Sequence, residues 1–531
     1  MWGLIWRTHR RAAGMRRPRA LAAVLRSAAL CAVVMALSGL TLAVPTASVP
    51  AAAEEADQLT LVSSQRLDPR TVELVFNTTN LGSETRVRIV YPNGYDAQTA
   101  RRYPVLYLLH GCCDNYKSWT DKGDVKALTV NLPLIVVMPD GGQGGFYSDW
   151  YNFGNYGNPR WESYHIGQLI PWVDAHLRTV ASRDGRAIAG LSMGGFGVMS
   201  YAARHPDMFI AAAAFSGAVD TNNATGGQFD AALNGLDWAL PDSVWGPRAT
   251  DEVRWRNHNP WDIAGNLKGL QLTIRTGDGT AGGPYNESGY DPVESGVHSQ
   301  SVSFHGRLVS FGLPHVWDDY GPGNHGWPYW TRDLKQTLPD LMKTFANPPP
   351  APVPFNYTTA EPSYSVYGWS VAIHRSALEF SDLQGVRPSG FKLIGSGSAD
   401  VITAPWYRPS DTYRVNISGG TSNSASLRAD AAGRLKITVP LGTANPFQQY
   451  TPQALLTNQT FTTSVTIEGP GANSSAAPSS AAALGSRTAA QGRLPATGTR
   501  NAPIILGILL LAAGVTLRPA LSAGSRTRAQ L

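Results

Sequence analysis

Cysteine is scarce in this chain, charge is thin, and no repeat or ligand cluster interrupts it. Of 531 residues only three are cysteine, namely Cys31, Cys112 and Cys113. Cys31 falls in an N-terminal segment that reads as removable, and adjacent Cys112 and Cys113 cannot bridge without a strained ring. A disulfide framework is thereby excluded, so a packed core has to hold the fold. Charged side chains make up 15% of the chain and hydrophobic ones 43%, with 54 glycines and 37 prolines. That balance excludes a disordered chain and implies a loop-rich globular one. No His/Cys/Asp/Glu cluster has metal-ligand spacing, and no phosphate loop or C-x-x-C occurs, so neither metal nor cofactor is expected. Nucleic acid is not expected either. The net charge of +6 comes from the ends, where seven arginines precede residue 54, four follow Gly498, and no acid offsets them. The middle of the chain is net acidic.

Both ends read as addresses. Residues 1–53 start Arg-rich, turn apolar from Ser27 to Val44 and finish in small residues, the order of a signal peptide. Near the other end "LPATG", Leu494 to Gly498, precedes an apolar run from Ala502 to Leu517 and scattered arginines. This arrangement resembles the sortase cell-wall sorting signal of Gram-positive bacteria, with Leu494, Pro495, Thr497 and Gly498 as its marks. The resemblance implies cutting between Thr497 and Gly498 and joining of Thr497 to peptidoglycan. Sortase and peptidoglycan are then partners, and the protein is secreted and wall-anchored, with a membrane segment at the C-terminus of its precursor.

Between the addresses the pattern changes twice. Residues 54–346 alternate apolar strand-like runs with helical spacing, which predicts an α/β domain with helices on both faces of its sheet. "YPVLYLLHG", "LPLIVVMPDGG", "RAIAGLS", "FIAAAAFSG", "LQLTIRTGDG" and "GRLVSFGL" are the expected strands, and a final helix begins near "NHGWPYW". Residues 347–356 are a proline-rich linker. From 357 to 470, polar and apolar residues alternate between turn signals, which predicts a small antiparallel β-sandwich. Residues 471–493 form a low-complexity stalk, and 494–531 hold the sorting signal.

The chemistry gathers around "RAIAGLSMGGFG", where a buried strand meets a helix at a serine flanked by glycines. This is the pattern of a nucleophile elbow with Ser192 at its corner. Such a serine needs a base, an acid to orient the base, and donors for an oxyanion. His325 lies after the last expected strand, in the position and chain order of the base, while His315 is the competitor. Two acids fit: Asp278, just beyond a strand, and Glu294, nearer the histidine. Oxyanion donors are expected from the backbone of Met193, which follows the serine, and of Cys112, in the loop after "LYLLHG".

Four segments, "LYLLHGCCDNYKSW", "MPDGGQGGFYSDWY", "GLSMGG" and "NHGWPYW", together resemble the esterase D superfamily, in its antigen 85 mycolyltransferase branch, over residues 60–345. The resemblance implies an α/β-hydrolase fold and a Ser–Glu–His triad, which favours Glu294 over Asp278. It also implies that Asp149, Trp150 and the Trp327 region line the acyl and acceptor clefts. The acyl group passes onto the serine and then to a sugar hydroxyl, or to water in the esterases. His110 stands where the mycolyltransferases carry an acceptor-binding aspartate, and Thr276 where they carry a cysteine; His110-Gly111 is the commoner esterase pattern. The reading is therefore an acyl-ester hydrolase with His110 among its substrate-binding residues. Transfer to a sugar or glycerol hydroxyl is the alternative. From another class, a wall-anchored adhesin or glycan-binding protein could use an inactive hydrolase scaffold.

Overall fold

The computed structural model describes residues 59–223, 242–285, 288–419 and 423–470. The expected signal peptide (1–53), the stalk (471–493) and the sorting signal with Leu494, Pro495, Thr497 and Gly498 lie outside the described residues. Among the described residues no helix is long and apolar enough to cross a membrane.

Nine strands form the first sheet: β1 (Leu59–Asp68), β2 (Thr71–Thr78), β3 (Ser83–Val90), β4 (Val105–Leu109), β5 (Ile135–Pro139), β6 (Arg186–Leu191), β7 (Ala211–Phe215), β8 (Gln271–Thr276) and β9 (His315–Asp319). Their order is β1-β2-β3-β5-β4-β6-β7-β8-β9. Pairs β1/β2, β2/β3 and β3/β5 are antiparallel, whereas β5 through β9 run parallel. This is an α/β-hydrolase fold. The parallel strands are apolar on both sides because helices cover both faces. Tyr107, Leu109 and Ile188 pack toward Phe196 and Met199, while Leu106, Leu108 and Ala189 pack toward Leu334 and Leu338.

Three helices matter for the site, α1 (Met193–Arg204), α3 (Pro292–Ser310) and α4 (Trp327–Ala346), while α2 (Arg248–His258) packs against the second region through Val253 and Asn257. One expected strand is helix instead. "GRLVSFGL" is not a strand; most of it is the last turn of α3, and the edge strand is His315–Asp319 instead. In a short apolar run periodicity cannot separate the two states, and here Phe304 and Leu308, four apart, bury one helical face.

The second region is β-rich, with a short helix at Pro452–Thr457. A six-stranded and a four-stranded antiparallel sheet face each other across Trp369, Leu383, Leu393, Tyr413 and Val439. Alternate residues of Thr412–Ser418 are buried and exposed, as a half-buried strand requires. Its first strand, Phe355–Thr359, starts inside the stretch expected to be linker. That stretch is bound rather than free: the Arg183 guanidinium donates to the Pro349 carbonyl at 2.6 Å. Polar contacts then weld the two regions. Asn266 exchanges two 2.8 Å hydrogen bonds with the Thr358 backbone, and Tyr357 Oη donates to the Arg204 carbonyl at 2.7 Å.

Candidate active site

Ser192 closes β6 and opens α1 with φ 54° and ψ −120°, a backbone conformation that side-chain-bearing residues avoid. Such strain costs of order 1–3 kcal/mol and persists only where the surroundings impose it. Here they do. A Cβ on Gly190 would lie 2.8 Å from the Gly194 carbonyl oxygen, and one on Gly194 would lie 2.6 Å from the His110 carbonyl oxygen. Only hydrogen fits at either position, so strand, corner and helix close around the serine. The Ser192 N–H is tied to the Phe215 carbonyl at 2.9 Å.

Three loops from the carboxyl ends of the parallel strands meet at this corner. His325, just before α4, brings Nε2 to 2.9 Å from Ser192 Oγ and Nδ1 to 2.7 Å from Glu294 Oε2. A carboxylate can only accept from Nδ1–H, so this network leaves Nε2 to accept from the serine hydroxyl. Glu294 is fully buried on the first turn of α3. Its other oxygen accepts from Ser216 Oγ (2.8 Å), Thr276 Oγ1 (3.2 Å) and the Gly277 N–H (2.8 Å). Three neutral donors thus stabilise the carboxylate without cancelling its charge. Trp330 meets the His325 ring edge to face, with centroids 5.0 Å apart.

Asp278, the other candidate acid, turns elsewhere: its carboxylate accepts from the Thr280 N–H and hydroxyl at 2.7 and 2.6 Å. His315, the other candidate base, pairs with His305 at 2.7 Å on the edge strand. Asp291, which sequence reasoning passed over, accepts the His325 N–H at 2.8 Å. Burial opposes ionisation of Asp291, but the N–H groups of His325, Glu294 and Val293 hold its carboxyl below the usual range. A signal for it was present, because Asp-Pro is a strong helix-start dipeptide. Ser216 and Gly277 carried no such mark.

The expected oxyanion donors flank the corner. Met193 is the first residue of α1, where backbone N–H groups lack intrahelical partners. Gly111 packs so closely on the elbow that a Cβ there would sit 3.1 Å from Ser192 Cβ. Half-buried Cys112 follows it, and the Cys113 N–H donates to the Gln143 carbonyl at 3.3 Å, which holds this loop.

The expected substrate-binding residues divide. His110 does not line a cleft, as it is 1% exposed with both ring nitrogens engaged. Its Nε2 accepts the Gly141 N–H at 2.8 Å, so the proton rests on Nδ1, 2.8 Å from the Gly111 carbonyl. This residue braces the loop after β4 from beneath, a role that a motif at a strand end does not distinguish from contact with ligand. Asp149 holds the Ser163 N–H at 2.9 Å and its hydroxyl, and Trp150 Nε1 donates to the Gly145 carbonyl at 3.1 Å. Trp327 stacks edge-on between Trp119 and Trp330, centroids 5.2 and 5.3 Å away, and so lies one ring from His325. Among the described residues no group of three or more His, Cys, Asp or Glu could hold a metal ion.

Comparison with known proteins gives a consistent result. The family model Esterase matches residues 78–341. An esterase of Mycobacterium tuberculosis is 34% identical over 275 residues, which cover 50% of this chain and 58% of that protein. The chain therefore spans little more than half the length of that relative. The diacylglycerol acyltransferase/mycolyltransferase Ag85B of Mycobacterium leprae is 31% identical over 271 residues, 49% of this chain and 80% of that protein. Among solved structures, Mycobacterium tuberculosis MPT51 aligns with 22% identity and a TM-score of 0.43, over 53% of this chain and 99% of that one.

Proposed function

The chain belongs to the esterase family that includes the antigen 85 acyltransferases, and on that premise we propose that it is a serine acyl-ester hydrolase working through an acyl-enzyme intermediate. The observation that carries the reading is the unbroken line from Glu294 through His325 to Ser192, at 2.7 and 2.9 Å, ending on a serine in strained backbone.

In this reading Ser192 Oγ attacks the ester carbonyl as His325 Nε2 takes its proton. Negative charge gathers on the carbonyl oxygen, facing the N–H groups of Met193 and Cys112. Glu294 holds the ring in the tautomer that leaves Nε2 open and offsets the charge His325 gains. The C–O bond then breaks, and His325 returns the proton to the departing alcohol. Water, deprotonated by the same nitrogen, attacks the acyl carbonyl and frees the serine. A sugar or glycerol hydroxyl could replace water in that last step, a second reading favoured by the acyltransferase relative.

The test is hydrolysis of p-nitrophenyl esters of rising chain length by residues 54–493 and by Ser192→Ala, each with and without trehalose, glucose or glycerol. Turnover lost in the variant supports the hydrolase, and new ester on an added acceptor supports transfer. No turnover on any ester by the unaltered chain would sink both readings and turn attention to glycan binding by the β-sandwich. Export and wall anchoring are part of the proposal, supported by the order of signals at both ends of the sequence. Thr497→Ala should shift the protein out of the covalent peptidoglycan fraction; an unchanged distribution would refute the anchoring.

A further inference from the structure

Glu294 and His325 reach each other from separate segments, α3 and the loop before α4, and one side chain bonds to the start of both. Asp291 precedes α3. Its Oδ1 accepts the N–H of Val293 at 2.9 Å and of Glu294 at 3.2 Å, while its Oδ2 accepts the N–H of His325 at 2.8 Å. The Asp291 N–H donates to the Gly279 carbonyl at 2.8 Å, and the Gly279 N–H to the Gly323 carbonyl at 3.0 Å, closing a loop of bonds beneath the pair. Two of the three donors on this carboxylate thus belong to the acid and the base themselves.

We propose that Asp291 is a positioning residue for the catalytic pair, setting the approach of His325 to Glu294 by gripping the backbone of both; this rests on the serine-hydrolase reading above. A helix cap alone needs one acceptor oxygen. Holding His325 as well needs the second, which is why a carboxylate fits here and an amide or hydroxyl does not. An asparagine turned to cap α3 would point its NH2 at the His325 N–H, donor against donor. Serine caps as well as aspartate but has one oxygen and less reach.

This separates positioning from folding. Asp291→Asn and Asp291→Ser should retain the cap and melt within a few degrees of the parent. In both, kcat on a p-nitrophenyl ester should fall about 10- to 100-fold with KM within about twofold, the size expected for a base displaced by a fraction of an ångström to an ångström. In a Glu294→Gln background the same change should add less than about twofold, because a pair already uncoupled cannot be uncoupled again. A readout independent of turnover is the downfield proton resonance of His325 Nδ1–H, which should move or vanish in both variants. Unchanged kcat and an unshifted resonance in folded Asp291→Asn would overturn the proposal. If the parent hydrolyses no ester, the hydrolase reading fails by itself, and the resonance still decides whether Asp291 sets the pair.

Discussion

At the N-terminal end of α1 Glu294 meets His325 at 2.7 Å, and at its C-terminal end Glu162 meets His205 at 2.7 Å. The residue types and the distance are the same, yet the two ends have different uses. Glu162 also takes the Arg204 guanidinium at 2.9 and 3.1 Å, and Arg204 continues to Glu361 of the β-sandwich at 3.0 Å. Burial would raise the Glu162 carboxyl, but Arg204 and the neighbouring histidines hold it far below the usual range. Its charge is neutralised before any reaction could use it. Glu294 has only neutral donors and a histidine whose far nitrogen faces a strained serine. A carboxylate–histidine pair is catalytic through what lies beyond the histidine and through leaving the carboxylate's charge available. With a guanidinium on the carboxylate, the same pair becomes a joint.

The largest effects expected lie at the first end. Ser192→Ala or His325→Ala should lower turnover by about 10³-fold or more while melting stays close to the parent; retained turnover would erase the distinction between the ends. At the second end Arg204→Met should leave buried Glu162 with only histidine partners and half-exposed Glu361 with only Asn257, costing about 3 kcal/mol by urea unfolding. The fraction still folded should keep its kcat/KM; a selective loss of activity would mean that the joint reaches the chemistry.

A smaller effect concerns pH. Burial and nearby Arg204 lower the pKa of His258, at the joint, to about 4, and burial lowers that of His165 to about 4. Unfolded histidine titrates near 6.5. Between those values the unfolded chain binds more protons, so stability is complete above pH 6.5 and falls as pH drops toward 4, by about 2–3 kcal/mol per residue. Below about 4.5 the depressed Glu162 adds its own loss as the unfolded chain takes up its proton. Unfolding free energies that stay flat from pH 7 to 4.5 would contradict this. The smallest change sharpens the choice of acid: Asp278→Asn should alter kcat less than about twofold, whereas Glu294→Gln should cost about 10²-fold or more.

Much of the site can be read in the sequence because the elbow is made locally. An apolar run, then glycines at 190 and 194 around a serine, leaves the chain one compact way to turn. His325 follows from chain order. The acid does not, because Asp278 and Glu294 both follow β8 and differ only in which one reaches the histidine. His110 shows the opposite error, since a polar residue at a strand end can face a ligand or the interior. The strand expected in "GRLVSFGL" failed because eight apolar-rich residues carry too few periods to distinguish helix from strand.

By itself, then, the sequence determined the alternation that builds the parallel sheet, the corner at Ser192 and the β character of residues 357–470. These depend on side-chain period and on steric limits within a few residues. The residues alone left Asp278 and Glu294 both open, and the family resemblance favoured Glu294. The tertiary structure decided that Glu294 faces His325, that Asp291 grips both, and that Arg204 ties the α/β region to the sandwich. The contacts involved join residues 31, 34 and 157 positions apart. At such separations only the packing of the sheet and its helices sets which polar groups meet.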